Sequence, residues 1–267
     1  MEVLPKRPIP TDGPGDVFLD KFPLCRAMPS QAKMALYQIS VRQIYKKGES
    51  IIGGNQGHEV AYVVLKGSVY LYRVSAETGR RRIFWVSEPG DMLGSVHFWG
   101  RPGNRELEDC AEAAEDTLLM ALPRAKLAKI AEEHKEMVVA IGDLLSRRLR
   151  YVENKLVEST LLPLEDRLLA EIVRLSRMRE QATLGGYHLD IRLTHEQLAD
   201  MIGVSRPTLS KVISNLKRCG YLFTDEEGHL VVPGGRQAED LVRSRHGELA
   251  GHRTGGPGCP LLKCSTS

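Results

Sequence analysis

Between Ile44 and Leu122 the apolar residues fall in short β-rich runs: Ser50-Ile51-Ile52, Ala61–Leu65, Ser68–Tyr72, Ile83–Val86 and Thr117–Leu122. Gly48, Gly57, Gly67, Gly79, Gly90 and Gly100 punctuate them at spacings of 9 to 12 residues. Short strands separated by turn glycines at such intervals predict a β-sandwich or barrel, and no helix-length segment between them allows a parallel α/β sheet. A short helix over Ser30–Gln38 precedes this block.

After Pro123 the period changes. Val138, Ile141, Leu145, Leu149, Val152 and Leu156 lie three or four residues apart, with Arg147, Arg148, Arg150, Glu153 and Lys155 off that row. This is a heptad-like seam on a helix of about 25 residues. Such a helix either packs on its own domain or forms a coiled-coil dimer seam. The second is favoured because nothing C-terminal supplies an obvious cover. Pro163 ends the helix, another follows over Leu164–Arg179, and a glycine-containing loop is expected around Gly185-Gly186.

The stretch Leu193–Leu222 carries the most specific pattern. Thr194-His195-Glu196-Gln197 is a capping box for a short helix that stops at Gly203, a residue suited to left-handed backbone. Ser205 then caps a second helix that tolerates Pro207 in its first turn. Ala199 and Gly203, four residues apart, suit two helices crossing closely through a tight turn.

On the second helix Leu209, Val212, Ile213 and Leu216 form the buried face, and Arg206, Ser210, Lys211, Ser214, Lys217 and Arg218 the other. That exposed face has four cations and no anion. It suits phosphate contact with Arg206 and Lys211 reaching base edges in the major groove. Tyr221–Thr224 and His229–Val232, joined by Asp225-Glu226-Glu227-Gly228, predict a hairpin, which makes the unit a winged helix-turn-helix. The candidate DNA-contacting residues are Thr194, Ser205, Arg206, Pro207, Thr208, Ser210, Lys211 and Lys217.

Composition narrows the setting. Lys+Arg number 37 and Asp+Glu 34, a net charge of +3, so a nucleic-acid surface has to be local. Five irregularly spaced cysteines do not make a disulfide scaffold, and neither a membrane-length apolar run nor a signal pattern is present, which predicts a soluble cytoplasmic protein without membrane association. Neither a nucleophile elbow, a phosphate-cradling Gly-x-x-x-x-Gly-Lys nor a His-Glu-x-x-His occurs, and His58 and His97 lack metal-ligand spacing; an enzyme is not expected.

The order of these elements resembles the CRP/FNR family of bacterial transcription regulators. The residues that carry the resemblance are Tyr45–Glu49, Tyr62–Val69, Glu88–Gly94, Glu115-Asp116-Thr117, Leu122-Pro123-Arg124 and Gly203–Val212. The resemblance implies an α+β protein: an N-terminal β jelly-roll barrel of the cyclic-nucleotide-binding type, a long dimerisation helix and a C-terminal winged helix-turn-helix. The expected division is a flexible arm over 1–16, an effector domain over 17–125, a dimerisation-helix region over 126–162, a DNA-binding domain over 163–245 and a disordered tail over 246–267. The resemblance also implies a homodimer through the 138–156 helix on palindromic double-stranded DNA, controlled by an effector in the barrel and acting on RNA polymerase.

The chain departs from that pattern in informative places. Pro207 replaces the family's glutamate on the second helix and Lys211 its last arginine, so a different site preference is expected. In cyclic-AMP-binding members a Gly-Glu pair holds the ribose and an Arg-Ser pair the phosphate. Here Gly94 precedes Ser95, and Arg105 precedes Glu106. Counting back from Glu115-Asp116-Thr117 places Leu107, not Arg105, at the arginine position. Glu106, Glu108 and Asp109 make this edge acidic, and Val152-Glu153 fall where the family's nucleotide-contacting Thr-Ser pair stands.

Cyclic AMP is therefore disfavoured as the effector. The effector candidates are Gly94, Ser95, His97, Arg105 and Val152, with His97 the candidate ligand should the effector be haem. A small organic molecule against Phe84, Trp85, Phe98 and Trp99 is another option, although these rings also suit ordinary core, and an effector-independent or thiol-controlled protein is a third. Only Cys25 lies in the N-terminal region where relatives hold an iron–sulfur cluster, so none is expected. Cys259 and Cys264 read as incidental tail residues or a labile disulfide, and Cys110 and Cys219 as small core or helix-end residues.

Overall fold

The structure is a computed structural model that describes residues 23–26, 28–53, 59–94, 110–178, 182–183, 186–189 and 193–233. The proposed arm and tail lie outside the described residues. The chain divides into two compact units, Met1–Lys155 and Leu156–Ser267.

The first unit contains helices α1 (Pro23–Arg26) and α2 (Ser30–Ile39), then strands β1 (Val41–Tyr45), β2 (Ser50–Ile52), β3 (Val60–Lys66) and β4 (Val69–Val74). Strands β5 (Arg81–Ser87), β6 (Met92–Leu93), β7 (Cys110–Ala113) and β8 (Thr117–Pro123) follow, then helices α3 (Arg124–Glu133) and α4 (Lys135–Leu161), whose last turns pass into the second unit. Two antiparallel four-stranded sheets, ordered β1-β8-β3-β6 and β2-β7-β4-β5, make up the barrel. That strand order is the two-Greek-key pattern of a jelly roll, as expected.

Alternation along β3 divides the core. Tyr62 and Val64 join Val69, Leu71, Leu93, Leu119 and Ala121 in the interior. Ala61, Val63 and Leu65 face the other way, toward a cluster that includes Leu36, Leu127, Met137, Ile141 and Leu144 from the helices. The Glu115-Asp116-Thr117 landmark has a steric basis. Gly67 has φ +84°, and a Cβ there would lie 2.6 Å from Thr117 Oγ1 and 2.7 Å from the Asp116 carbonyl. Thr117 Oγ1 donates to the Ser68 carbonyl at 3.0 Å, which fastens this corner.

Strand β1 was not anticipated as an element because its burial inverts the usual pattern. Gln43 and Tyr45 are buried while Ile44 is 49% exposed, and the Tyr45 hydroxyl donates to Gln43 Oε1 at 2.9 Å. Strands β6 and β7 were also missed. The first is two residues long, and the second is Cys-Ala-Glu-Ala, a weak strand former held by pairing with β4 and β2.

Helix α4 corrects the predicted seam. Met137, Ile141, Leu144 and Arg148 are buried, so Ile141 belongs to the barrel-facing row and Leu145 is packed against the same cluster. Val138, Leu149, Val152 and Leu156 are 42%, 59%, 46% and 65% exposed. One row thus packs on the helix's own barrel, as the first reading expected, and the next lies open.

The barrel-facing row ends in a polar–aromatic cluster. The Arg148 guanidinium lies 5.5 Å from the Trp85 ring centroid and 5.9 Å from that of Phe84, and Tyr151 meets Trp85 edge-on at 4.7 Å. Phe84 and Trp85, proposed as effector-pocket walls, are thus covered by the chain's own helix; Phe98 and Trp99 lie outside the described residues. The Trp85 indole N–H points to Asp91 Oδ2 at 3.4 Å, and the Glu88 backbone N–H donates to the same oxygen at 3.1 Å.

Burial pushes the Asp91 carboxyl above the usual carboxylate range, against the opposing pull of these hydrogen bonds and of Arg148 and Arg147. A raised folded-state pKa gives stability that is complete below the unfolded value of about 3.9 and lost as pH rises through the folded value. Asp91→Asn removes the ionisation and keeps an acceptor oxygen. Its melting temperature relative to wild type is expected to rise as pH increases above about 4 and to level off once the folded-state carboxyl has ionised, as read by calorimetry. A relative fall over that range would contradict the burial argument.

Candidate nucleic-acid interface

The second unit contains α5 (Leu164–Met178), β9 (Ala182–Thr183), β10 (Gly186–Leu189), α6 (His195–Ile202), α7 (Arg206–Arg218), β11 (Phe223–Thr224) and β12 (Leu230–Pro233). Strands pair in the order β11-β12-β10-β9, so the wing is wider than the predicted hairpin. Gly186 opens a strand where a loop was expected, with Tyr187 and Leu189 buried on it. Helix α5 packs on β10, β12, α6 and α7 and supplies Leu168, Ile172 and Leu175 to the core.

The helix-turn-helix is built from local hydrogen bonds. Thr194 Oγ1 accepts from the Gln197 backbone N–H at 3.1 Å, and Gln197 Oε1 accepts from the Thr194 N–H at 2.9 Å. Gly203 ends α6 at φ +80°, and its N–H donates to the Ala199 carbonyl at 2.7 Å. The neighbouring Ile202 carbonyl accepts from Arg167 Nη2 on α5, so a cation satisfies the C-terminal end of α6. Ser205 Oγ accepts from the Thr208 N–H at 3.3 Å and shares a hydrogen with Thr208 Oγ1 at 2.7 Å. Leu209, Val212, Ile213 and Leu216 are buried, as the period predicts.

The predicted DNA-contacting residues stand along α7 and at the N-caps of α6 and α7, and their states differ. Arg206, Pro207, Thr208, Lys211 and Lys217 are exposed, and Ser210 is half-buried. The hydroxyls of Thr194 and Ser205 cap helices. Lys217 Nζ donates to Thr224 Oγ1 at the base of the wing, and Arg218 Nη2 donates to Asn215 Oδ1 at 3.2 Å. Among the described residues Arg206 and Lys211 have no hydrogen-bond or ion-pair partner, which leaves two cations presented to solvent on α7.

Ser210 Oγ lies 3.0 Å from His195 Nδ1, a cross-helix pairing that sequence periodicity within one helix does not reveal. At the wing tip Asp225 Oδ1 accepts backbone N–H groups from His229 at 2.8 Å and Glu227 at 3.0 Å. The His229 N–H above all holds the Asp225 carboxyl below the usual range.

The effector candidates are less assembled. Gly94 has φ +77° beside β3, where a Cβ would stand 3.3 Å from the Val60 carbonyl. Ser95, His97 and Arg105 lie outside the described residues. Val152 is on the open row of α4 and not on the row that packs against the barrel, where Arg148 and Tyr151 stand instead.

Residues 42–134 match the cyclic nucleotide-binding domain and residues 153–233 the Crp-like helix-turn-helix domain. The chain belongs to the CRP/FNR family. A CRP-like cAMP-activated global transcriptional regulator of Mycobacterium tuberculosis is 22% identical, covering 73% of this chain and 85% of that protein. The transcriptional activator protein FnrL of Cereibacter sphaeroides is 24% identical over 82% of this chain and 87% of its own. The solved c-di-GMP-responsive global regulator CLP of Xanthomonas campestris shares the fold with a TM-score of 0.67 at 20% identity, covering 78% of this chain and all of that one. This CRP/FNR protein is thus a DNA-binding transcriptional regulator and not an enzyme. No helix among its described residues is long and apolar enough to cross a membrane.

Because the Thr194 cap satisfies a first-turn amide, Thr194→Ala is expected to destabilise the second unit by about 1 kcal/mol. Urea denaturation monitored by circular dichroism checks this. Unchanged stability would mean that water replaces the cap at no cost.

Proposed function

We propose that two copies of this regulator pair through the open row of α4 and place two α7 helices in successive major grooves of a palindromic site. The observation that carries the DNA reading is the exposed face of α7, where Arg206 and Lys211 stand beside Thr208 opposite a fully buried apolar face. An arginine near the start of the recognition helix suits bidentate contact with guanine, and Lys211 suits a base edge or phosphate. Pro207 offers only apolar contact, to a thymine methyl for instance, which supports a site preference unlike that of relatives with a carboxylate there.

The pairing rests on Val138, Leu149, Val152 and Leu156, four apolar side chains left open on one helix row. They are flanked by Arg147, Arg150 and Glu153, the pattern of a coiled-coil seam. Regulation comes through the barrel. The absence of a glutamate after Gly94 and of a serine after Arg105 favours an effector other than cyclic AMP. RNA polymerase is the partner that family membership suggests.

In a mobility-shift assay with a duplex selected from a random pool by the full-length protein, Arg206→Ala is expected to lower specific affinity by roughly 1–3 kcal/mol and to relax base preference. Specific binding left intact would sink the assignment of α7. Leu149→Lys combined with Leu156→Lys places like charges in the seam and is expected to yield monomers in sedimentation velocity, with DNA affinity falling in step. A stable dimer in this variant would place the interface elsewhere.

A further inference from the structure

The pairing of His195 with Ser210 assigns these two residues roles that neither sequence position suggests. His195 is the first residue of α6, directly after the Thr194 cap, so the capping box fixes its backbone. Ser210 is on α7 one turn after Arg206 and one turn before Ser214, whose hydroxyl donates to the Ser210 carbonyl at 2.9 Å. His195 therefore lies against the Arg206–Ser210–Ser214 row, away from Leu209, Val212, Ile213 and Leu216. His195 is exposed and Ser210 half-buried, with 3.0 Å between Nδ1 and Oγ.

We propose that His195 is a DNA-backbone contact and that Ser210 is its positioning residue, not a base reader. The inference rests on the reading of α7 as the recognition helix. In a helix-turn-helix the second helix enters the groove and the first crosses the backbone. A side chain that starts on the first helix and leans on the exposed row of the second stands at the groove's edge, where phosphates are.

Hydrogen-bond chemistry fixes the tautomer. If Ser210 Oγ–H donates to Nδ1, the ring carries its proton on Nε2 and donates to a phosphodiester oxygen. The opposite arrangement leaves a bare Nε2 lone pair facing that oxygen, which is repulsive. With a neutral ring, a phosphate thus selects the form in which Ser210 donates, and the serine's one hydrogen is then unavailable to an acceptor on a base. Backbone contacts of this kind add affinity without sequence information.

The test measures fluorescence-anisotropy affinities of the full-length protein for two labelled duplexes, one selected from a random pool and one of mixed sequence. His195→Ala is expected to weaken both by a similar factor, roughly three- to tenfold, the size of one hydrogen bond. His195→Gln, whose amide can accept from Ser210 and donate to phosphate, is expected to restore most of the loss. Ser210→Ala is expected to weaken both duplexes in the same proportion and to add little in the His195→Ala background.

The proposal is overturned if His195→Ala binds both duplexes within twofold of wild type. It is equally overturned if Ser210→Ala changes the ratio between the duplexes while His195→Ala does not, since Ser210 would then read a base. Unchanged circular dichroism in Ser210→Ala guards against a folding artefact. Arg206→Ala, run in parallel, separates the two levels: if it too keeps the selected-to-random ratio, the reading of α7 fails, whereas its loss beside an inert His195→Ala rejects the His195 contact alone.

Discussion

Residues at heptad spacing form a stripe down a helix, and a shift of one position gives a second stripe about 100° further round. Helix α4 carries both. Met137, Ile141, Leu144, Arg148 and Tyr151 turn toward the barrel, ending in contacts with Phe84 and Trp85. Val138, Leu149, Val152 and Leu156 form the neighbouring stripe and are open. Among the described residues the barrel covers the first, and the second is exposed. In the proposed dimer a shift of the barrel-facing contacts would move the partner-facing ones on the same rigid element.

The character of the two stripes differs along the helix. Its first turns bury aliphatic groups among Leu36, Leu127 and Leu122, a contact with no polar demand. Further on, the barrel-facing contact is an arginine over aromatic rings beside a half-buried carboxyl, Asp91. Cation–π contacts of this kind are directional and depend on local solvation in a way that aliphatic packing does not. This end of the barrel contact is therefore more sensitive to a change in charge or hydration.

What was legible in the sequence was local. Thr194 with Gln197, the left-handed Gly203, Ser205 and the Leu209–Leu216 row each signal through neighbours within one or two turns, and the structure realises them all. What was not legible depends on distant partners. Strand β1 buries Gln43 and Tyr45 and exposes Ile44, so alternation points the wrong way until β8 is beside it. Ile141 fits either heptad stripe, and only packing against the barrel assigns it. The glycines near β10 masked a strand that β12 stabilises through Tyr187 and Leu189. Likewise Lys217 and Ser210 looked like free members of a polar face, whereas Thr224 and His195 engage them.

In the proposed dimer, DNA recognition falls to one face of α7 and is doubled by pairing through α4. Methylation protection of guanine N7 on a selected duplex tests this most directly because it reports the major groove alone. Two protected patches related by two-fold symmetry are expected, with centres about 34 Å, or one helical turn, apart. A single patch, or binding with no major-groove protection, would contradict that expectation.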